Sequence, residues 1–129
     1  MTKFLRKNGL SLLTILLITT LSLMPGHEFP QVNVQFADKW AHWVMYGFLT
    51  IVMCAEFLYH NKKCCSITSC IQRSTLLAII SAIYGGLMEL GQAYLTTTRH
   101  GDWLDVWANS FGSLCGYALV LIFCFKKNN

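Results

Sequence analysis

Residues 89–116 read ELGQAYLTTTRHGDWLDVWANSFGSLCG, and this stretch decides the fold. Apolar residues run up to Leu95, a short polar connection follows, and apolar residues resume at Trp103. Glu89, Gln92, Asp105 and Asn109 are set inside or at the mouth of those apolar segments. An ionisable group costs about 2.5–3.5 kcal/mol at the centre of a membrane helix on insertion scales, so a carboxylate kept there marks a functional site. The stretch reads as a membrane hairpin that carries chemistry.

The rest of the chain has the same segmentation. Apolar residues make up 54% of its 129 residues and charged ones 12%, about half the charged share of a soluble domain. They gather in four blocks, 4–24, 40–59, 75–95 and 103–125, with most of the charge between them. Each block is near the ~20 helical residues that cross a ~30 Å hydrocarbon core. The sequence therefore predicts an all-α fold, one domain over residues 1–129 built as a four-transmembrane-helix bundle. Lys3, Arg6 and Lys7 before the first block also suit a signal peptide, but residues 20–25, TLSLMP, match a small-residue cleavage pattern poorly. An uncleaved first helix is the favoured reading.

Orientation follows from basic residues in short loops. Lys3, Arg6 and Lys7 precede the first block, Lys62, Lys63 and Arg73 lie between the second and third, and Lys126 and Lys127 close the chain. Only Lys39 and Arg99 lie in the other two connections. Eight of the ten basic residues thus place both termini and the middle loop in the cytoplasm (N-in, C-in). The net charge of +4 is then a topology signal, with no nucleic-acid patch in it. Cys54, Cys115 and Cys124 fall in apolar blocks, where free cysteine behaves as a small hydrophobe. Cys64, Cys65 and Cys70 fall in the reducing cytoplasmic loop, at a spacing that suits zinc poorly even with His60 nearby.

Helical phasing at 100° per residue groups the polar positions. Ala78, Ala82, Gly85, Glu89, Gln92 and Thr96 share one face of the third block. Asp105, Asn109, Gly112 and Gly116 share one of the fourth, with Gly112 and Gly116 forming a small-xxx-small pair for close packing. Asp38, His42, Leu49 and Glu56 line up in the second. The economical arrangement points the three stripes at one another. Glu89 then lies about 9 Å below the outer end of its helix. Asp38, His42, Glu89, Gln92, Arg99, Asp105 and Asn109 converge in one extracytoplasmic pocket, with Asp38 and Asp105 nearer water. Glu56 lies near the inner end and is expected to pair with Lys62 or Lys63 or to snorkel.

The segment DKWAHWVMYGFL at 38–49, then Glu89-x-x-Gln92, Arg99, Asp105 and ANSFGSLCG at 108–116, resembles the VanZ-like family of small bacterial membrane proteins. The resemblance covers residues 38–116. The family is named for a protein associated with low-level teicoplanin resistance. It implies a cell-envelope setting, in the cytoplasmic membrane, rather than a particular reaction.

Three kinds of function fit these residues. In an enzyme, Glu89 and Asp105 would divide acid and base roles in unlike surroundings. His42, oriented by Asp38 four residues earlier, would shuttle protons. Arg99 would bind phosphate through its planar fork, with Gln92 and Asn109 as further substrate-binding groups. An outer-leaflet phospholipid or polyprenyl-linked cell-wall precursor fits such a pocket, for hydrolysis or for phosphoryl or acyl transfer. In a binding protein, the same pocket would hold such a lipid or a drug without reaction, and Arg99 and the tryptophans would matter most. In a scaffold, the polar groups would only hold the bundle in register at ~0.6–2 kcal/mol each, while Trp40, Trp43, Trp103 and Tyr94 form an aromatic belt. Asp38, His42, Glu89 and Asp105 also make an oxygen-rich set for a hard divalent cation. No short ligand spacing such as HExxH supports it, so no metal and no cofactor is assigned. The lipid bilayer is the expected partner, and a homodimer stays open.

Overall fold

The computed structural model of the chain describes residues 2–24, 37–61, 66–95 and 101–128, and nothing but helices among them. The helices are α1 (Thr2–Lys7), α2 (Gly9–Leu23), α3 (Ala37–His60), α4 (Ile67–Leu95) and α5 (Trp103–Asn128). Three of them, α3, α4 and the Trp103–Lys126 part of α5, are long and apolar enough to cross a membrane, and α2 is a shorter apolar helix. The expected all-α architecture of four apolar helical segments is what folds. Large apolar side chains such as Leu13, Val44, Ile83, Leu90, Leu114 and Phe123 point outward and are at least half exposed. A surface of that kind suits hydrocarbon rather than water.

The boundaries differ from the sequence reading in two places. The first apolar block is a broken helix, because Asn8 and Gly9 are weak helix formers and interrupt it. The break frees backbone N–H groups at the start of α2, and Glu56 of α3 takes them. Leu10 N donates to its Oε1 at 2.7 Å and Ser11 N to its Oε2 at 3.0 Å, with the Ser11 hydroxyl on Oε2 as well. Glu56 is thus a cap on a neighbouring helix, where anions are favoured. Lys62 and Lys63 lie outside the described residues. The second difference is the start of α4, two turns before the predicted residue 75. Ser66 caps it by accepting from Ser69 N at 3.2 Å, so the polar run through Arg73 is helical. Cys70 therefore sits buried on α4 and not in the loop. Cys64 and Cys65 lie outside the described residues.

The helix faces pair as phased. On α4 the buried positions include Ser81, Gly85, Glu89 and Gln92. On α5 Asp105, Asn109, Gly112, Ser113, Gly116 and Val120 are buried. The closest approach is between α3 and α5. A Cβ added to Gly112 would run into the backbone of Trp43, and one added to Gly116 would lie 2.5 Å from the carbonyl oxygen of Gly47. Further along, hydroxyls replace a large apolar core. Ser113 donates to Ser81 at 3.1 Å, and Thr75 and Tyr117 meet at 2.9 Å. The apolar core is small, Ile18, Tyr46 and Leu49. Tyr84 carries it to α2 by donating to the carbonyl of Ile15 at 3.1 Å.

Gly112→Ala puts a methyl group into backbone that cannot rotate away, and is expected to destabilise the bundle by at least about 2 kcal/mol. Gly86 has nothing within 4 Å of an added Cβ, so Gly86→Ala is expected to be neutral or slightly stabilising. Thermal melts of the two purified variants in detergent, read by monodisperse elution, separate these outcomes. Equal melting would mean that the α3–α5 contact is looser than described.

Candidate functional site

The close α3–α5 approach brings one end of the bundle together, the end where α3 begins, α4 ends and α5 begins. His42 sits at its centre, 3% exposed. Its Nδ1 is 3.0 Å from Asn109 Oδ1 on α5 and 3.5 Å from Glu89 Oε1 on α4. Its Nε2 is 3.7 Å from Asp38 Oδ1, one turn earlier on α3, and 4.0 Å from Asp105 Oδ2 on α5. Three helices thus deliver four other predicted site residues to one imidazole. Room for Asn109 comes from Gly85, where an added Cβ would lie 2.8 Å from the Asn109 Cβ.

The surroundings of the carboxylates differ from the expectation. Asp105 is as deeply buried as Glu89, each 3% exposed, and is not nearer water. The reason is that it starts a helix whose first turn lies against α3. Asp38 remains half exposed at its side chain. Glu89 accepts from the backbone N–H of Asp102 through Oε2 at 3.3 Å. Its Oε1 is buried with no hydrogen-bond partner among the described residues.

Lys39 is the group that the sequence reading left out. Its ammonium lies 2.7 Å from Asp102 Oδ2 and 2.8 Å from Asp105 Oδ1. Asp102 also caps α5, accepting from Leu104 N at 2.9 Å. The Lys39 ammonium and then the Leu104 N–H hold the Asp102 carboxyl below the usual aspartate range. In the sequence Lys39 counted only as a loop charge. The available signal was Lys39 three residues before His42, on the same side of the helix, with the acidic pair Asp102 and Asp105 awaiting a cation.

One other predicted residue stands apart from this centre. Gln92 donates through Nε2 to the carbonyl of Ser22 at 2.8 Å and so ties α4 to the last turn of α2. Arg99 lies outside the described residues. Among the aromatic residues, Trp40, Tyr94 and Trp103 are largely exposed, as a belt requires. Trp43 instead turns inward and stacks on Phe111, ring centres 6.3 Å apart.

Two apolar grooves flank α5 and end at the polar cluster. Between α4 and α5 a groove of about 350 Å³ is lined by Ile83, Gly86, Leu87, Leu90 and Val106, with Tyr94 and Trp103 along it and Glu89 and Asp102 at its polar end. Between α3 and α5 a second, of about 310 Å³, runs past Trp43 and Phe111 to Lys39. The grooves can therefore receive an apolar chain, with the Glu89 and Asp102 carboxylates at the polar end of one and the Lys39 ammonium at that of the other.

Removing one partner of a buried ion pair leaves an uncompensated charge. Lys39→Met is expected to cost about 3 kcal/mol, and adding Asp105→Asn to it to recover most of that loss. A double-mutant cycle on thermal melts in detergent measures the coupling. Additive losses would mean that Lys39 does not serve Asp105.

The VanZ/LLP1 family model matches residues 3–124. The match extends through α2 as well as across the residues that form the cluster. No curated protein and no solved structure matches the chain. With helices long and apolar enough to cross a membrane and a match over nearly its whole length, the chain belongs to the VanZ/LLP1 family.

Proposed function

We propose that this protein binds an outer-leaflet amphiphile, a phospholipid or a polyprenyl-linked envelope precursor, and holds its polar group at the His42 cluster. The observation that carries this is the groove between α4 and α5, apolar along its length and ending on Glu89 and Asp102. A site for a soluble polar metabolite would not open along a helix face made of exposed leucine and isoleucine. Lipid-facing depth and polar end coincide as an acyl or prenyl chain and its headgroup require. The basic residues of the sequence orient the chain N-in and C-in in the cytoplasmic membrane and put the cluster at the extracytoplasmic side.

In this reading each predicted residue has a task. Glu89 and Asp105 face the headgroup as acid and base, His42 moves a proton between them, and Asp38 orients the imidazole. Arg99, in the connection from α4 to α5, supplies the planar donor set that phosphate needs. Asn109 holds the His42 ring. Gln92, on α4, supports the site by tying that helix to α2. Hydrolysis, or transfer of an acyl or phosphoryl group, is the chemistry such a set serves. A change in teicoplanin susceptibility would follow from altered availability of the lipid-linked target. The scaffold reading draws its support from Glu56 and Gln92, whose bonds go to the backbone of α2.

The experiment uses Gly86→Leu, which fills the groove from a position where an added Cβ meets nothing within 4 Å. Lipids that co-purify with the wild type in mild detergent are expected to fall severalfold in this variant, with an unchanged melting temperature. Unchanged lipid content would remove the groove from the function. Expression in a teicoplanin-sensitive bacterium, at matched membrane levels, tests the consequence. Wild type is expected to protect, and Gly86→Leu and Glu89→Gln to protect less. Protection by Glu89→Gln equal to wild type would leave Glu89 a structural role only.

A further inference from the structure

We propose that Asp38, His42 and Asp105 form a binding site for one divalent transition cation, of the zinc or manganese kind. One oxygen from each carboxylate and one nitrogen of the imidazole lie within 4.8 Å of one another. The inference is independent of the lipid groove, since it rests on how His42 is held.

Both groups that face His42 Nδ1, Asn109 Oδ1 at 3.0 Å and Glu89 Oε1 at 3.5 Å, are hydrogen-bond acceptors. Nδ1 therefore carries the hydrogen, and in the neutral ring Nε2 keeps its lone pair. That lone pair points between Asp38 Oδ1 and Asp105 Oδ2, at 3.7 and 4.0 Å. Both separations are too long for hydrogen bonds. Ligand atoms about 2.1 Å from a tetrahedral cation stand about 3.4 Å apart. The three atoms lie within 4.8 Å of one another, so closing them around such an ion draws the widest pair in by at most about 1.4 Å.

The supporting contacts are those that a metal-binding histidine uses. Its other nitrogen is held by the Asn109 amide oxygen, with the Glu89 carboxylate 3.5 Å away, which fixes the tautomer and makes the ligating nitrogen more basic. Glu89 Oε1, buried and without a hydrogen-bond partner among the described residues, is aimed at that ring. Asp105 is braced in the same way. Lys39 holds its Oδ1 at 2.8 Å, which leaves Oδ2 turned to His42. Asp38 is half exposed, so the third ligand stands at the mouth of the site and gives an ion a way in.

Charge points the same way. Among the described residues, Asp38, Glu89, Asp102 and Asp105 lie around His42 and Lys39, so a divalent cation would offset the acidic surplus of that set. Mixed imidazole and carboxylate donors favour zinc or manganese over magnesium or calcium. Three protein ligands leave a coordination position open. A bound cation would also turn the acidic mouth into an acceptor for an anionic headgroup.

The test is isothermal titration of the purified full chain in detergent, stripped with chelator, using zinc and manganese chlorides, with magnesium as the comparison. Cobalt serves as the optical probe. One ion per chain is expected, with a cobalt spectrum free of the thiolate charge-transfer band. His42→Ala is expected to abolish binding. Because a buried ring is lost there, the half-exposed Asp38→Asn is the second variant, expected to bind at least roughly tenfold more weakly with an unchanged melt. The absence of saturable binding by the wild type overturns the proposal. So does binding that survives Asp38→Asn and His42→Ala, or a thiolate band, which would move the ion to the cysteines. Co-purifying lipid in the same preparations reads the groove separately, so either inference can fail alone.

Discussion

Everything at the functional end of this molecule depends on how closely α3 and α5 approach. The Trp43 and Gly47 backbones lie against Gly112 and Gly116 so tightly that no side chain fits between them. Apolar side chains cannot drive such a contact in lipid, because hydrocarbon solvates leucine as well as another leucine does. Small residues and backbone contact drive it instead. The consequence is geometric. Two helices brought this near place His42 on one within hydrogen-bond reach of Asn109 on the other, and a side chain as short as Asp105 can then meet Lys39 across the same interface. A wider spacing would leave the same residues facing each other across a gap.

Away from that seam, the polar residues of the bundle answer a different constraint. A membrane interior supplies no water to satisfy freed backbone groups. The break at Asn8 and the end of α2 at Leu23 both create such groups, and each is met by a long polar side chain from a neighbouring helix. Glu56 takes the N–H groups at the start of α2, and Gln92 donates to a carbonyl near its end. These two residues hold a short helix that is about 22 Å long by its rise, less than a full hydrocarbon thickness. Their polarity is explained by α2.

This division shows what was legible in the sequence. Helical phase alone was enough to place His42, Glu89, Asp105 and Asn109 together, because burying a polar stripe in apolar helices leaves few ways to pack. The glycine pair was legible for the same reason. Gln92 shared the stripe of Glu89, but phase says which side of a helix a residue occupies and not which neighbour it finds there. The capping role of Glu56 was not legible because the N–H groups it takes are free only where the first helix breaks. The start of α4 was misread because a serine cap outweighed the low hydropathy of the turn that follows it. Lys39 was counted by charge and not by phase, so its place over Asp102 and Asp105 went unseen.

Once Glu56 and Gln92 are assigned to α2, the remaining polar groups have no equally simple structural explanation. Register between helices is already served further along by hydroxyls: Ser81, Ser113, Thr75 and Tyr117 join α4 to α5, and Ser81 also donates to the Tyr46 carbonyl of α3. Neutral hydroxyls do that work without the cost of burying charge. Glu89 and Asp105, each almost fully buried beside an imidazole, carry that cost at the end of the bundle already closed by the glycine seam. The cluster adds little packing that the seam does not provide, and it sits where two apolar grooves end. A concentration of ionisable groups at that position is what the proposed binding of an amphiphile's polar group would require.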